Sequence, residues 1–154
     1  MNHSQHLKIQ NSDDMLALGI KLAKLSLSNA VIFLQGPLGA GKTTFVRGFL
    51  RGMDYKGAVK SPTYTLVETY DFPASKVLHW DLYRLSHVEE LELLGIRDYL
   101  HQPAWWLIEW PERFIKVLPD ADLIINFKID GTARELILEA HTPQGEKLIK
   151  AAQG

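Results

Sequence analysis

The sequence predicts an α/β fold, and three observations carry that prediction. A strand-forming run, Ala30-Val31-Ile32-Phe33-Leu34-Gln35, breaks into a glycine-rich loop and then an amphipathic helical pattern (Phe45, Val46, Phe49, Leu50). Two further strand patterns, Lys76 to Asp81 and Ala104 to Glu109, are separated by a helical stretch, so strands alternate with helices. The last third carries two strand patterns joined through Asp130-Gly131-Thr132, a hairpin signal.

Size and charge bound the function. A chain of 154 residues, 46% of them hydrophobic, suits one domain over residues 1–154 with a single core and no separate catalytic domain. A formal net charge of −1 argues against a broad basic surface for gripping nucleic acid, so any such role is expected to be indirect. Without cysteine there are no disulfides and no thiolate metal sites, which suits a reducing compartment. The start, Met1-Asn2-His3-Ser4-Gln5-His6, lacks the basic-then-apolar pattern of a signal peptide. No apolar run approaches the ~20 residues of a membrane span. The expectation is a soluble cytoplasmic protein with no membrane contact.

In chain order, Leu7 to Gln10 reads as a short edge strand. Ser12 then stands either as a helix N-cap, with Asp13 and Asp14 in the first turn, or as a polar group beside a bound nucleotide. Met15, Leu18, Leu22 and Leu25 hold helical spacing to about Ser26. The loop after the second strand, Gly36-Pro37-Leu38-Gly39-Ala40-Gly41-Lys42-Thr43-Thr44, is the full phosphate-binding pattern G-x-x-x-x-G-K-S/T. Its glycines let the backbone curl so that successive N–H groups face phosphate oxygens, and the following helix adds the positive end of its dipole. Lys42 is placed to reach the β and γ phosphates and the Thr43 hydroxyl to take one position on Mg²⁺.

That helix is expected to end near Gly52, with a turn at Asp54-Tyr55-Lys56-Gly57. From Lys60 to Tyr70 a hydroxyl-rich loop leads into an alternating strand, and Ser61, Thr63 and Thr65 are candidates for sensing a γ-phosphate and its Mg²⁺. A strand reached through a Pro turn is the competing reading of the same residues. In the strand Lys76 to Asp81, His79 and Asp81 fall on one side, a spacing that invites a metal, but no third ligand follows at a suitable distance. Asp81 ends its strand where open α/β sheets bind ligands. Ser86 can cap a helix through Val88, Leu91 and Leu94, and Arg97 to Leu100 add a turn. The buried-strand signal Ala104-Trp105-Trp106-Leu107-Ile108 delivers Glu109, which suits an acid of the Mg²⁺ shell, followed by Trp110 and Pro111. The tryptophans read as core or as a stacking surface, Trp110 least as filler. Leu123 to Ile129 and Glu135 to Glu139 form the hairpin, Arg134 lies either on the surface or within reach of a nucleotide, Thr142 to Gly145 reads as a turn, and Glu146 to Ala152 as a short helix or strand.

Four blocks together, the phosphate loop, Ser61-Pro62-Thr63-Tyr64-Thr65-Leu66-Val67-Glu68, His79-Trp80-Asp81-Leu82-Tyr83-Arg84-Leu85 and Ile108-Glu109-Trp110-Pro111-Glu112, closely resemble the TsaE (YjeE) family over nearly the whole chain. These are small P-loop ATPases of bacterial tRNA threonylcarbamoyladenosine (t6A) synthesis. The resemblance implies a three-layer sandwich with a mostly parallel central sheet, helices on both faces and antiparallel C-terminal strands. It implies ATP and Mg²⁺ as cofactors and the paired proteins TsaD and TsaB as partners, with tRNA met only indirectly. In that picture the chain does not transfer the threonylcarbamoyl group; its ATP cycle resets the transferase complex between turnovers. By position, nucleotide contacts fall to Ser12, Gly36, Leu38, Gly39, Ala40, Gly41, Lys42, Thr43, Thr44 and Arg134. Thr43 and Glu109 would hold Mg²⁺, Lys42, Asp81 and Glu109 would act in catalysis, the Ser61, Thr63 and Thr65 loop would be a first switch, and Trp110 would lie in a second. Pro37 stands where the family usually has Asp, which removes any role of that carboxylate while leaving the cradle plausible.

Rival readings exist. A small-molecule kinase suits the size and the loop, but no arginine-rich lid segment is present to close over a second substrate. A GTPase would need N-K-x-D, and Asn126-Phe127-Lys128-Ile129-Asp130 has the wrong spacing. A nucleotide-gated interaction module needs the same cradle and switch loop as an ATPase, so the sequence leaves it open. No arginine finger is evident in the loop region, so hydrolysis by the chain alone is expected to be slow.

Overall fold

The computed structural model describes residues 4–25, 27 and 29–154. Seven strands form one sheet: β1 (Ser4–Ile9), β2 (Ala30–Gln35), β3 (Val67–Asp71), β4 (Lys76–Asp81), β5 (Trp105–Glu109), β6 (Leu123–Asp130) and β7 (Ala133–Ala140), in the order β1-β7-β6-β2-β5-β4-β3. The four central strands run parallel, and β3, β7 and β1 add antiparallel edges, which is the mostly parallel sheet expected. Every residue of β5 is buried, because helices cover both faces of this strand, and its sequence is therefore an unbroken apolar run ending in one acid.

The helices are α1 (Ser12–Ala23), α2 (Lys42–Gly52), α3 (Val88–Leu93), α4 (Ile96–Leu100) and α5 (Pro143–Gln153). On one face, Leu18 and Leu22 of α1, Phe45 and Phe49 of α2 and Leu148 of α5 pack on Ile32, Leu34, Trp105 and Leu107. On the other, Leu91 and Ile96 cover Phe33, Trp80, Trp106 and Ile108, so the layering is helix, sheet, helix. Full burial of side chains of this size contributes about 1.5–3 kcal/mol each. Trp105 meets Phe49 edge to face at 4.9 Å, and Trp106 stacks on Trp80 at 5.5 Å, so two of the tryptophans that follow Ala104 are core. Among the described residues, no helix is long and apolar enough to cross a membrane.

Several boundaries differ from the sequence reading. The first strand begins at Ser4 and ends at Ile9, because it pairs along β7 from Ser4–Glu139 to Ile9–Arg134. The cap of α1 is Asn11, whose Oδ1 accepts from the Asp14 N–H at 2.9 Å, which places Ser12 inside the first turn. That helix ends at Ala23, and its expected extension to Ser26 reaches a residue outside those described. The cap of α3 is His87 rather than Ser86: the N–H groups of both donate to Glu90 Oε1, satisfying orphan donors from inside the helix. Thr142 to Gly145 is not a free turn, since Thr142 accepts from the Gly145 N–H and Pro143 is the first residue of α5.

The α1–α2 crossing depends on two glycines without side chains. A Cβ on Gly48 would lie 2.3 Å from Leu16 O, and one on Gly19 would lie 2.4 Å from Phe45 O. Both obstacles are backbone, which cannot swing aside. Helix propensity alone would favour alanine by about 1 kcal/mol at each position. Gly48→Ala is instead expected to destabilise by about 1–3 kcal/mol, lowering the melting temperature by several degrees. A thermal unfolding curve shifted upward would refute the close approach.

Candidate functional site

The candidate site lies where the C-terminal ends of β2, β4 and β5 meet. Parallel pairing sets Leu34 beside Glu109 and Glu109 beside Asp81, so two acids arrive abreast at the mouth of the phosphate loop. The loop itself runs from Gly36 to Gly41 and turns into α2 at Lys42. Gly39 (φ +79°) and Gly41 (φ +105°) take left-handed backbone angles that a side chain would strain, and a Cβ on Gly39 would meet open space. Gly41 is the N-cap of α2 and supplies no side-chain hydrogen bond, so the helix presents its N-terminal N–H groups to the cavity.

Lys42 is 4% exposed, with Nζ donating to Gly36 O and lying 3.6 Å from the centre of the Trp110 ring. Burial lowers its ammonium pKa from the ordinary lysine value, against the opposing pull of Glu109, Glu112 and Asp81. Thr43 Oγ1 donates to Glu109 Oε2 at 3.4 Å. Asp81 Oδ1 accepts from the Tyr83 N–H at 3.1 Å. Desolvation raises the Asp81 pKa most, and Glu109 adds to it, while the Tyr83 N–H, His79 and Lys42 oppose. Trp110 holds φ at +61°, a strained angle for a bulky residue, and its ring contacts that of Tyr83 at 4.8 Å.

These residues enclose a cavity of about 380 Å³. Leu38, Gly39 and Gly41 to Thr44 form one wall, Asp81, Glu109 and Trp110 another, and Ser61 and Thr63 a third. Ser61 Oγ and Thr63 Oγ1 share a 2.7 Å hydrogen bond, whereas Thr65 donates to Glu68 at 3.1 Å. Behind the loop, a smaller hollow of about 120 Å³ is bordered by Ser12, Ala40, Thr44 and Arg134. Arg134 spans hairpin and loop, donating through Nη2 to Gly39 O at 3.1 Å and through Nη1 to Ala133 O at 2.8 Å. Gly36 sits against β6, where a Cβ would lie 2.7 Å from Phe127 O.

One participant went unassigned in the sequence. His79, wholly buried, brings Nε2 to 2.6 Å from Glu109 Oε2. The His79/Asp81 alternation was visible, but the partner lies 30 residues away on another strand.

Residues 9–136 match the family model described as "Threonylcarbamoyl adenosine biosynthesis protein TsaE". The chain belongs to the TsaE family. It is 45% identical to the Haemophilus influenzae tRNA threonylcarbamoyladenosine biosynthesis protein TsaE, covering 93% of this chain and 94% of that protein. The Bacillus subtilis TsaE protein is 35% identical over 79% of this chain and 75% of its own length. The crystal structure of Bacillus subtilis YdiB superposes with a TM-score of 0.82 at 27% identity, covering 99% of this chain and 96% of that one.

The Asp81 environment has a measurable sign. A carboxyl held above its ordinary pKa contributes stability below about pH 4 that is lost as the pH rises through the raised value. Asp81→Asn is therefore expected to melt at or above the parent temperature at pH 7, with the difference vanishing toward pH 4. Thermal melts across that range check it, and a clear loss of stability at pH 7 would contradict the desolvation argument.

Proposed function

We propose that the larger cavity receives the phosphates of ATP, and that this chain is the P-loop ATPase of tRNA threonylcarbamoyladenosine biosynthesis, acting with the TsaD–TsaB transferase complex and resetting it between turnovers. The observation that carries the reading is the convergence of Lys42, Thr43, Asp81 and Glu109 on one cavity beside the N-terminus of α2.

The donor chemistry fits Mg²⁺. Thr43 and Glu109 offer hard oxygen donors within hydrogen-bonding reach of each other. Among the described residues, no group of three or more His, Cys, Asp or Glu side chains is arranged to hold a metal by protein alone. A cation here would complete its shell with nucleotide and water oxygens, the usual habit of Mg²⁺. When bound, the ion neutralises charge on the β and γ phosphates.

The chain's own residues do the rest. Loop N–H groups and those of α2 bind phosphate oxygens, and Lys42, now tied to Gly36 O under Trp110, exchanges that bond for phosphate. Asp81 lies close enough to the cavity to orient a water, and its raised pKa marks it as a carboxylate held at a cost, common where chemistry is done. Arg134 pins the loop from behind, and Ser12 borders the smaller hollow, so both are assigned to nucleotide binding rather than to the reacting phosphate. Ser61 and Thr63 form the first switch at the cavity wall, with Thr65 anchoring it to β3 through Glu68, and Trp110 belongs to the second.

Lys42 is the one cationic side chain among the described residues lining the larger cavity. Transition-state charge is thus under-compensated in the isolated chain, which supports slow hydrolysis until a partner changes the site. A net charge of −1 supports contact with tRNA through the partners rather than directly.

Phosphate release from ATP and Mg²⁺ by the chain alone is expected at well under the 1–100 s⁻¹ typical of efficient phosphoryl-transfer enzymes such as kinases. Adding TsaD and TsaB should change the rate markedly, and Glu109→Ala should abolish the change. Tight ATP binding with no rate change on adding the pair would favour a nucleotide-gated module instead. Turnover at tens per second without partners would overturn the partner-coupled reading.

A further inference from the structure

We infer that His79 is a positioning residue for Glu109, and that its Nε2–H···Oε2 hydrogen bond orients the carboxylate assigned above to Mg²⁺. The inference rests on that assignment, and its test separates the two.

Strand register places the two groups together. On the parallel β4–β5 pair, His79 lies beside Leu107 and Asp81 beside Glu109, so all four face the same side of the sheet. His79 is therefore one rung deeper than Glu109, and its ring reaches up the sheet to Oε2 at 2.6 Å. Thr43, at the start of α2, donates to the same oxygen at 3.4 Å. Oε2 is thus held from β4 and from α2 together.

Burial makes this contact costly to arrange by chance. The His79 side chain is 0% exposed and has no water as a substitute partner, while that of Glu109 is 5% exposed and meets solvent only where it borders the cavity. Buried polar pairs of this kind stabilise a fold little compared with an apolar pair of the same volume. What the pair does supply is orientation, because the fully buried His79 ring is fixed in place and its contact, together with that of Thr43, holds Oε2 in one position.

The proton can be placed as well. His79 Nδ1 is buried with no hydrogen-bond partner among the described residues. Of the two neutral tautomers, the one with the proton on Nε2 donates to the carboxylate and leaves only a lone pair unpaired. The other tautomer would set two acceptors against each other at 2.6 Å and bury an unpaired N–H. Outer partners of ligating groups fix their orientation in this way, and losing one typically weakens metal affinity about 10–100-fold.

Two amide substitutions separate positioning from mere packing. A glutamine amide nitrogen falls near the place of Nε2 and can still donate to Glu109, whereas an asparagine amide nitrogen falls near Nδ1 and cannot. Affinity for ADP carrying an N-methylanthraniloyl fluorophore would be measured on the full chain, with Mg²⁺ and with chelator, for the parent, His79→Gln, His79→Asn and Glu109→Ala. His79→Asn is expected to weaken Mg²⁺-dependent binding about 10-fold or more while leaving chelated binding within about two-fold, and His79→Gln to recover most of the loss. Glutamine and asparagine behaving alike, or losses equal with and without Mg²⁺, would overturn the positioning role. If Glu109→Ala itself left the Mg²⁺ dependence intact, the metal assignment would fail, and the positioning role toward a metal ligand with it. Mg²⁺ dependence lost in Glu109→Ala but unchanged in His79→Asn would overturn the positioning role alone.

Discussion

The parallel register of β2, β5 and β4 is the constraint on which the site depends. It brings the end of β2, where the phosphate loop departs, level with Glu109 and Asp81. A slip of one residue in either pairing would turn those acids to the other face of the sheet and leave the loop opposite apolar side chains. The register is secured by the two cores, since Trp105 and Leu107 must meet α2 on one face while Trp106 and Ile108 meet Trp80 and Phe33 on the other. Packing far from the cavity thereby determines which side chains line it.

Function and stability pull in opposite directions at this place. Lys42, His79 and Glu109 are the buried polar or charged residues among those described, and all three belong to the site or touch it. Burial lowers the pKa of Lys42 and raises that of Asp81, so in both groups desolvation works against the charged form. Trp110 adds backbone strain at +61°. The apolar layers on either side of β5 supply the stability that these arrangements draw down. Pre-organisation follows, because these groups are desolvated and oriented before any ligand enters.

Much of this was legible beforehand for physical reasons. The phosphate loop is a local motif whose glycines, lysine and threonine act through neighbouring backbone, so its residues carry their meaning in order along the chain. Strands β2, β4 and β5 announced themselves by apolar runs, and Asp81 and Glu109 by standing at their ends. The least legible features were caps and contacts between distant segments. Asn11 rather than Ser12 caps α1 because Asn11, Ser12, Asp13 and Asp14 can all serve as caps, and only Asn11 is placed for its Oδ1 to accept from the Asp14 N–H. His87 displaced Ser86 because Glu90 reaches back to satisfy the N–H groups of both.

By itself the sequence determined the α/β class, the phosphate cradle, the two acids and the family, since each is written in local pattern or in the order of short motifs. Only the tertiary structure decided that His79 serves Glu109, that Arg134 holds Gly39 from a hairpin 95 residues away, and that Trp110 covers Lys42. Those contacts follow from strand register and from how two helical layers close over a sheet. No window of neighbouring residues encodes either, because both are settled by packing across the whole domain.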